Sequence, residues 1–214
     1  MNERRIVFWE VDAQEDFMLP GGKLYVPGAE KIIPNIQRLV KAAVDAHALL
    51  VSSGDAHPEG DPEFGTFPPH CLRGTQGARI VPEGMAGDFC TIPNDSDFQF
   101  PENILNYPQI LLEKQTLNVF DNPHAGAFVD KLDPRAEFVV FGVVTEYCVL
   151  CAVRGLLERG RQVLVVKDAI QSLAPPREGQ RALDEMRGLG AGFITTDEAI
   201  ARLSAESAGA APVR

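Results

Sequence analysis

The stretch FVVFGVVTEYCVLCAVRGLLERG, residues 138–160, decides the fold. It opens with a continuous apolar run, which is typical of a strand that is covered on both faces of a sheet. The remainder has helical spacing and ends at Gly160, a residue type that commonly follows the last turn of a helix. A strand that leads directly into a helix is the repeating unit of parallel α/β folds, and Cys148 falls at the join.

The same alternation extends over most of the 214-residue chain. The predicted strands are 5–11, 48–53, 110–114, 138–144, 162–169 and 192–196. The predicted helices are 29–48, 146–160 and 177–190, with a short helix after the last strand. We therefore predict one α/β domain over residues 1–203, a doubly wound, mostly parallel sheet with helices on both faces. A disordered tail is expected at 204–214.

Charge and composition exclude several classes of protein. The net charge is −10 and no cluster of Lys or Arg is present, so neither nucleic acid nor an anionic membrane is an expected partner. The N-terminal residues lack a signal-peptide pattern, and no apolar run approaches the ~18 residues of a membrane span. Four scattered cysteines are typical of free thiols, which favours a cytoplasmic protein.

Reactive side chains follow most of the predicted strands. Asp12, Asp55, Lys114, Cys148 and Asp168 each lie at or just beyond the carboxyl end of a strand. Ligands of open parallel sheets bind beyond these ends. We therefore expect the five side chains to converge on one edge of the sheet.

Three interpretations of Cys148 are open. As a nucleophile, its pKa would be lowered by the N–H groups and the dipole of the first helical turn. Asp12 could then be the base and Lys114 could steady the ion pair, with the backbone N–H groups of Val144 and Cys148 as an oxyanion hole. As a redox residue, Cys148 would pair with Cys151 in C-V-L-C. As a structural residue, it would simply fill the core, as free Cys often does.

Segment 54–108 breaks the alternation and contains a second group of reactive side chains. It is rich in Gly, Pro and Asp, and long irregular segments of compact domains are usually functional or disordered. Two imidazoles with carboxylates suit Zn²⁺, Fe²⁺ or Mn²⁺, although acidic loop residues are commonly just solvated. The candidate metal ligands are Asp55, His57, Glu63 and His70.

Four motifs occur in a recognisable order. V-D-A-Q-E-D-F at 11–17 is followed by the Gly-rich P-G-G-K-L-Y-V-P-G-A, then by D-A-H-P with F-P-P-H-C-L-R-G-T-Q-G-A, and finally by G-V-V-T-E-Y-C-V at 142–149. They resemble V-D-x-Q-x-D-F, the metal-site block and G-x-x-T-D-x-C-V of the isochorismatase-like cysteine hydrolases. Within that family, the resemblance is to the nicotinamidase and pyrazinamidase branch.

The resemblance implies an enzyme that hydrolyses a small primary amide, nicotinamide first among the candidates, to its acid and ammonia through a thioester. It places such a reaction in NAD salvage. The implied triad is Cys148, Asp12 and Lys114, and a cis peptide is implied between Val143 and Val144, ahead of the oxyanion hole. Relatives often form homo-oligomers, so a homo-oligomer is left open here as well.

The resemblance also implies a divalent metal ion, with Zn²⁺ ahead of Fe²⁺ and Mn²⁺. The implied ligands are Asp55, His57, His70 and, where many relatives have His, Glu63. The candidate walls of the substrate site are Phe17, Phe67 and Tyr147. Two other functions stay open: a metal-independent amidase or carbamoyl hydrolase of the same superfamily, and a redox protein that uses Cys148 and Cys151.

Overall fold

Strand β5, Glu137–Val143, lies near the centre of the sheet and is buried along its whole length. The computed structural model describes residues 6–173 and 176–209. Strand β1 (Ile6–Val11), also buried throughout, pairs with β5 on one side and with β2 (Leu49–Asp55) on the other. The apolar runs are continuous in these strands because both faces of the sheet are covered.

The remaining strands extend the sheet in both directions, and every pairing is parallel. They are β3 (Phe89–Ile92), β4 (Gln109–Lys114), β6 (Gln162–Gln171) and β7 (Gly192–Ile194). The order across the sheet is β3-β4-β2-β1-β5-β6-β7. The predicted fold class is confirmed, and the winding direction reverses between β1 and β5, the position at which doubly wound sheets bind ligands.

Helices cover the two faces of this sheet. The face that carries Phe8 and Phe141 packs against α1 (Glu15–Met18), α2 (Ile33–Asp45) and α6 (Thr196–Gly209). The face that carries Trp9 packs against α3 (Ala125–Asp130), α4 (Leu150–Glu158) and α5 (Pro176–Gly188). Within the described ranges, no helix combines the length and the apolar content that a membrane span requires.

An edge strand, two short helices and the C-terminal end of α6 were not predicted. Strand β3 has no recognisable strand pattern because it is an edge strand whose first three residues are partly or fully exposed. Helices α1 and α3 are too short to show a repeated helical pattern of apolar residues. Helix α6 continues to Gly209, so residues 204–209 are helical, contrary to the predicted tail. The remainder of that tail, 210–214, lies outside the described residues, as do 1–5 and 174–175.

Asp168 does not reach the edge of the sheet at which the other strand ends meet. It lies inside β6, which runs on to Gln171, and it is exposed. Its Oδ1 accepts hydrogen bonds from the backbone N–H and the hydroxyl of Thr196, at 2.8 and 3.1 Å, where α6 begins. The expected convergence of five strand ends is therefore wrong for this residue, which caps a helix instead.

A buried polar ladder crosses β1, β2 and β4. Glu10 Oε2 accepts a hydrogen bond from Ser52 Oγ at 2.7 Å, and Ser52 Oγ accepts one from Gln109 Nε2 at 2.8 Å. Gln109 also donates to Gly84 O at 3.0 Å and accepts from Ala86 N at 2.9 Å. Burial raises the pKa of Glu10 from 4.5 to about 8, which outweighs the opposing hydrogen bond from Ser52. The carboxyl group is therefore mainly protonated at neutral pH.

We predict that Glu10→Gln flattens the pH dependence of stability. Between pH 4.5 and about 8 the folded chain holds a proton on Glu10 that the unfolded chain has released. The free energy of unfolding therefore falls as pH rises, by roughly 1 kcal/mol per pH unit from this group. Gln cannot ionise and still accepts the hydrogen bond from Ser52. As pH rises from 5 to 8, the free energy of unfolding of the variant should therefore increase relative to that of the wild type. Urea unfolding at both pH values tests this, and an identical pH dependence in the two proteins would contradict it.

Candidate active site

Lys114 brings together side chains from four neighbouring strands. Its Nζ lies 2.9 Å from Asp12 Oδ2 and 3.5 Å from Cys148 Sγ, and it forms an ion pair with Asp55 Oδ1. All four residues are buried. The predicted grouping of Asp12, Lys114 and Cys148 is therefore present, and Asp55 is an additional partner of the ammonium group.

Strand register and one turn place the carboxylates. In the pairing of β2 with β4, Asp55 lies opposite Lys114. Asp12 follows β1 in a left-handed conformation with φ of 49°, which Asp tolerates better than most residues. Ser53 holds this turn, because its carbonyl accepts from Asp12 N at 3.1 Å and its hydroxyl donates to Asp12 Oδ1 at 2.7 Å.

Cys148 lies in a π-helical turn, Thr145–Val149, that joins β5 to α4. The peptide bond between Val143 and Val144 is cis, as the resemblance implies. Gly142 has φ of 116°, and a Cβ there would lie 2.1 Å from the carbonyl oxygen of Val11, so this approach of β5 to β1 requires glycine. Short π-helical segments are frequent at functional sites.

The environment of Cys148 favours the neutral thiol. Burial raises its pKa well above the usual value, and Asp12 and Asp55 add to this, while Lys114 offsets only part. The expected net lowering of the thiol pKa is therefore not found, because burial of Cys148 outweighs the ammonium charge of Lys114. Burial also raises the pKa of Asp12, with a further contribution from Asp55. A neutral thiol beside a carboxylate of raised pKa suits proton transfer during attack on a substrate.

Two imidazoles converge on the second oxygen of Asp55. His57 Nε2 lies 3.7 Å and His70 Nε2 3.5 Å from Asp55 Oδ2, and one ligand atom from each of the three residues lies within 4.8 Å of the others. Pro68 O lies 2.8 Å from His70 Nδ1 and orients that ring. His57 Nε2 is buried without a hydrogen-bond partner among the described residues. These donors fit a divalent ion such as Zn²⁺.

Glu63 and Asp61 lie next to this cluster. Glu63 Oε1 is 4.0 Å from His70 Nε2, so it is close to the three-residue group without being part of it. Asp61 Oδ2 lies 3.1 Å from His57 Nδ1, and its Oδ1 accepts from Glu63 N at 2.9 Å. A carboxylate on one ring nitrogen of His orients the other toward a metal. The sequence prediction missed Asp61, although an Asp before Pro62 is a recognisable helix-capping signal.

A largely apolar cavity opens beside Cys148. The three predicted aromatic residues line it. The rings of Phe67 and Tyr147 meet edge to face with their centroids 6.2 Å apart, and the centroids of the Phe17 and His70 rings are 5.3 Å apart. Three further wall residues were not predicted, because leucines in loops carry no chemical signature. They are Leu24, Leu117 and Leu173.

Cys151 does not share this cavity. It is only partly buried and lines a separate surface cavity with Phe120 and Arg154. Cys151 is therefore not a residue of the buried core. The two thiols of C-V-L-C open onto different cavities, which disfavours a catalytic dithiol.

The family follows from the match of residues 7–198 to the isochorismatase domain. This match covers most of the chain, which therefore belongs to the isochorismatase family. The family assignment that the four motifs predict is confirmed. The sheet order and the edge at which the site lies are consistent with it.

Known relatives point to one branch of that family. A nicotinamidase of Escherichia coli (strain K12) is 26% identical over 212 residues, which cover 86% of this chain and 92% of the relative. The crystal structure of the pyrazinamidase of Pyrococcus horikoshii in complex with zinc is also 26% identical, with a TM-score of 0.70 over 89% of this chain and 99% of that one.

A more distant structure shares the fold alone. N-carbamoylsarcosine amidase from Thermoplasma acidophilum is 20% identical, with a TM-score of 0.69 over 90% of this chain and 97% of that one. The chain is therefore an isochorismatase-family hydrolase that is similar to nicotinamidases and pyrazinamidases. The fold by itself does not distinguish between amide substrates.

We predict that Asp61→Asn weakens metal binding by about 10- to 100-fold. Asn can still accept from Glu63 N, but it no longer presents a carboxylate to His57 Nδ1. Competition with a chromophoric chelator would measure the dissociation constant for Zn²⁺. Asp97→Asn, at an exposed position outside the cluster, is the matched control. Equal affinities in the two variants would show that Asp61 does not orient a ligand.

Proposed function

We propose that this chain is a metal-assisted cysteine amidohydrolase that converts a small, uncharged primary amide, nicotinamide first, to the carboxylic acid and ammonia. The contact of Lys114 with both Asp12 and Cys148, beside the Asp55 cluster, carries this proposal. The proposed catalytic residues are Cys148, Asp12 and Lys114. We further propose a cytoplasmic enzyme of NAD salvage.

The first half of the proposed reaction forms a thioester. Cys148 Sγ attacks the amide carbonyl while its proton moves to the Asp12 carboxylate, and the carbonyl oxygen becomes an oxyanion held by the N–H groups of Val144 and Cys148. Lys114 keeps a positive charge beside the Asp12 carboxylate and the Cys148 thiol. Burial alone would lower the pKa of Lys114, but Asp12 and Asp55 raise it well above its usual value.

The second half releases both products. As the tetrahedral intermediate collapses, its C–N bond breaks and Asp12 gives its proton to the departing nitrogen, which leaves as ammonia. A water molecule then attacks the thioester with Asp12 as the base. Its C–S bond breaks, the acid forms, and the proton returns to Cys148 Sγ.

The residues proposed to hold a divalent ion are Asp55, His57, Glu63 and His70. Such an ion would supply a Lewis acid that binds the ring nitrogen of a pyridine amide. The neighbouring ring walls are proposed to be Phe17, Phe67 and Tyr147, since flat apolar surfaces suit an aromatic ring.

The charge of the cavity favours a neutral substrate. Its ionisable wall residues include Asp12, Asp55 and Glu63, and no Lys or Arg is among the described residues that line it. An amide that carries a carboxylate, such as an N-carbamoyl amino acid, would find no lysine or arginine among the described residues of this wall. This observation favours nicotinamide over the carbamoyl substrates of the alternative function.

Ammonia release from nicotinamide and pyrazinamide tests the proposal. We expect turnover by the wild type and a loss of at least about 10³-fold in Cys148→Ala, since the nucleophile is removed. Cys151→Ala, three residues along and outside the cavity, is the matched control and should retain activity within about twofold. Turnover by Cys148→Ala would exclude the thioester route.

Metal removal separates the two hydrolase functions. We expect activity to fall after chelation and to return when Zn²⁺, Fe²⁺ or Mn²⁺ is added back, because the ion is proposed to bind the substrate. Bound metal measured before and after chelation completes the comparison. Full activity in metal-free protein would favour the metal-independent amidase.

A further inference from the structure

One wall of the cavity comes from the segment that follows β6. Leu173 lies two residues beyond the end of this strand at Gln171, and it lines the cavity together with Tyr147 and Cys148. It is half-buried and also packs against the apolar cluster beneath α1 and α2. An aliphatic side chain at this position adds no polar contact, so its effect on a substrate is steric.

Among the described residues, hydrogen bonds tie this segment to two other parts of the chain. The backbone N–H of Leu173 donates to Glu146 Oε1 at 2.9 Å. Two residues earlier, Gln171 Nε2 donates to Pro27 O at 3.0 Å. The first bond is the important one for the cavity, because it acts on the wall residue itself.

Glu146 belongs to the same π-helical turn as Cys148. A single five-residue turn thus carries the proposed nucleophile and the carboxylate that accepts a hydrogen bond from the Leu173 backbone. The position of Leu173 relative to the thiol is therefore tied to this turn by a hydrogen bond, in addition to the bond from Gln171 to Pro27 and the apolar packing of Leu173. Precise placement of this kind is what size discrimination between small apolar substrates needs.

We propose that Leu173 limits the size of the ring that the cavity accepts, and that Glu146 is a positioning residue that holds Leu173 in place. This inference rests on the proposed function, because it assigns the substrate class of the same cavity: amides on a single small ring. Glu146 acts here through its hydrogen bond to the Leu173 backbone, and its charge is not required.

The test compares nicotinamide with quinoline-3-carboxamide, which carries the same amide on a fused double ring. The readout is the ratio of kcat/KM for the larger amide to that for nicotinamide, in the metal-loaded protein. We expect Leu173→Ala to raise this ratio by about tenfold or more, as for other changes of a few methylenes in an apolar pocket. For nicotinamide itself, KM should rise while kcat changes little, since only binding contact is lost.

Variants of Glu146 separate position from charge. Glu146→Ala should raise the ratio in the same direction as Leu173→Ala, because the wall is no longer held. Glu146→Gln keeps an acceptor for the Leu173 N–H and should leave the ratio within about twofold. Leu189→Ala, at an exposed leucine outside the cavity, is the matched control. An unchanged ratio in Leu173→Ala, or an equal shift in Glu146→Gln and Glu146→Ala, would overturn the inference.

Binding measurements distinguish a failure of the proposed size limit from a failure of the proposed hydrolysis. Calorimetry of both amides on a Cys148→Ala background gives the same ratio from dissociation constants, without turnover. A wild type that binds nicotinamide but does not hydrolyse it would reject the proposed function, while the binding ratio would still support or contradict the size limit. If neither amide binds, both proposals fail.

Discussion

The candidate site depends on a single buried ammonium group. Without Lys114, the carboxylates of Asp12 and Asp55 would be buried side by side, and removing one partner of such a group costs several kcal/mol. The three charges can be buried only as a set. The same ammonium lies against Cys148, so the balance that stabilises the carboxylates also determines when the thiol loses its proton.

Asp55 connects two kinds of chemistry through one side chain. One of its oxygens pairs with Lys114 and the other faces His57 and His70. Burial would raise its pKa, but Lys114 and the two imidazoles hold it well below the usual range. Because Asp55 ends β2 beside β1 and β4, the sheet brings the thiol group and the imidazole cluster within the reach of one carboxylate.

Most of the fold and much of the site could be predicted, for identifiable reasons. Strands β1 and β5 are buried on both faces, so their apolar runs stand out, and Asp12, Lys114 and Cys148 follow from the common edge of a parallel sheet. Edge strand β3 gives no such signal. The raised pKa of Cys148 depends on burial by distant segments, which local sequence cannot report. Asp61 and Leu173 act through contacts with His57 and Glu146 that only the folded chain creates.

The polar ladder in the core has a consequence for catalysis at the edge of the sheet. Side chains alternate between faces, so a slip of β1 against β2 by one residue, about 3.3 Å, would break the hydrogen bond between Glu10 and Ser52 in an apolar core. The same slip would separate Asp12, two residues after Glu10, from its hydrogen-bond partner Ser53. The buried carboxyl group in the middle of the sheet therefore favours the strand register that also assembles the site.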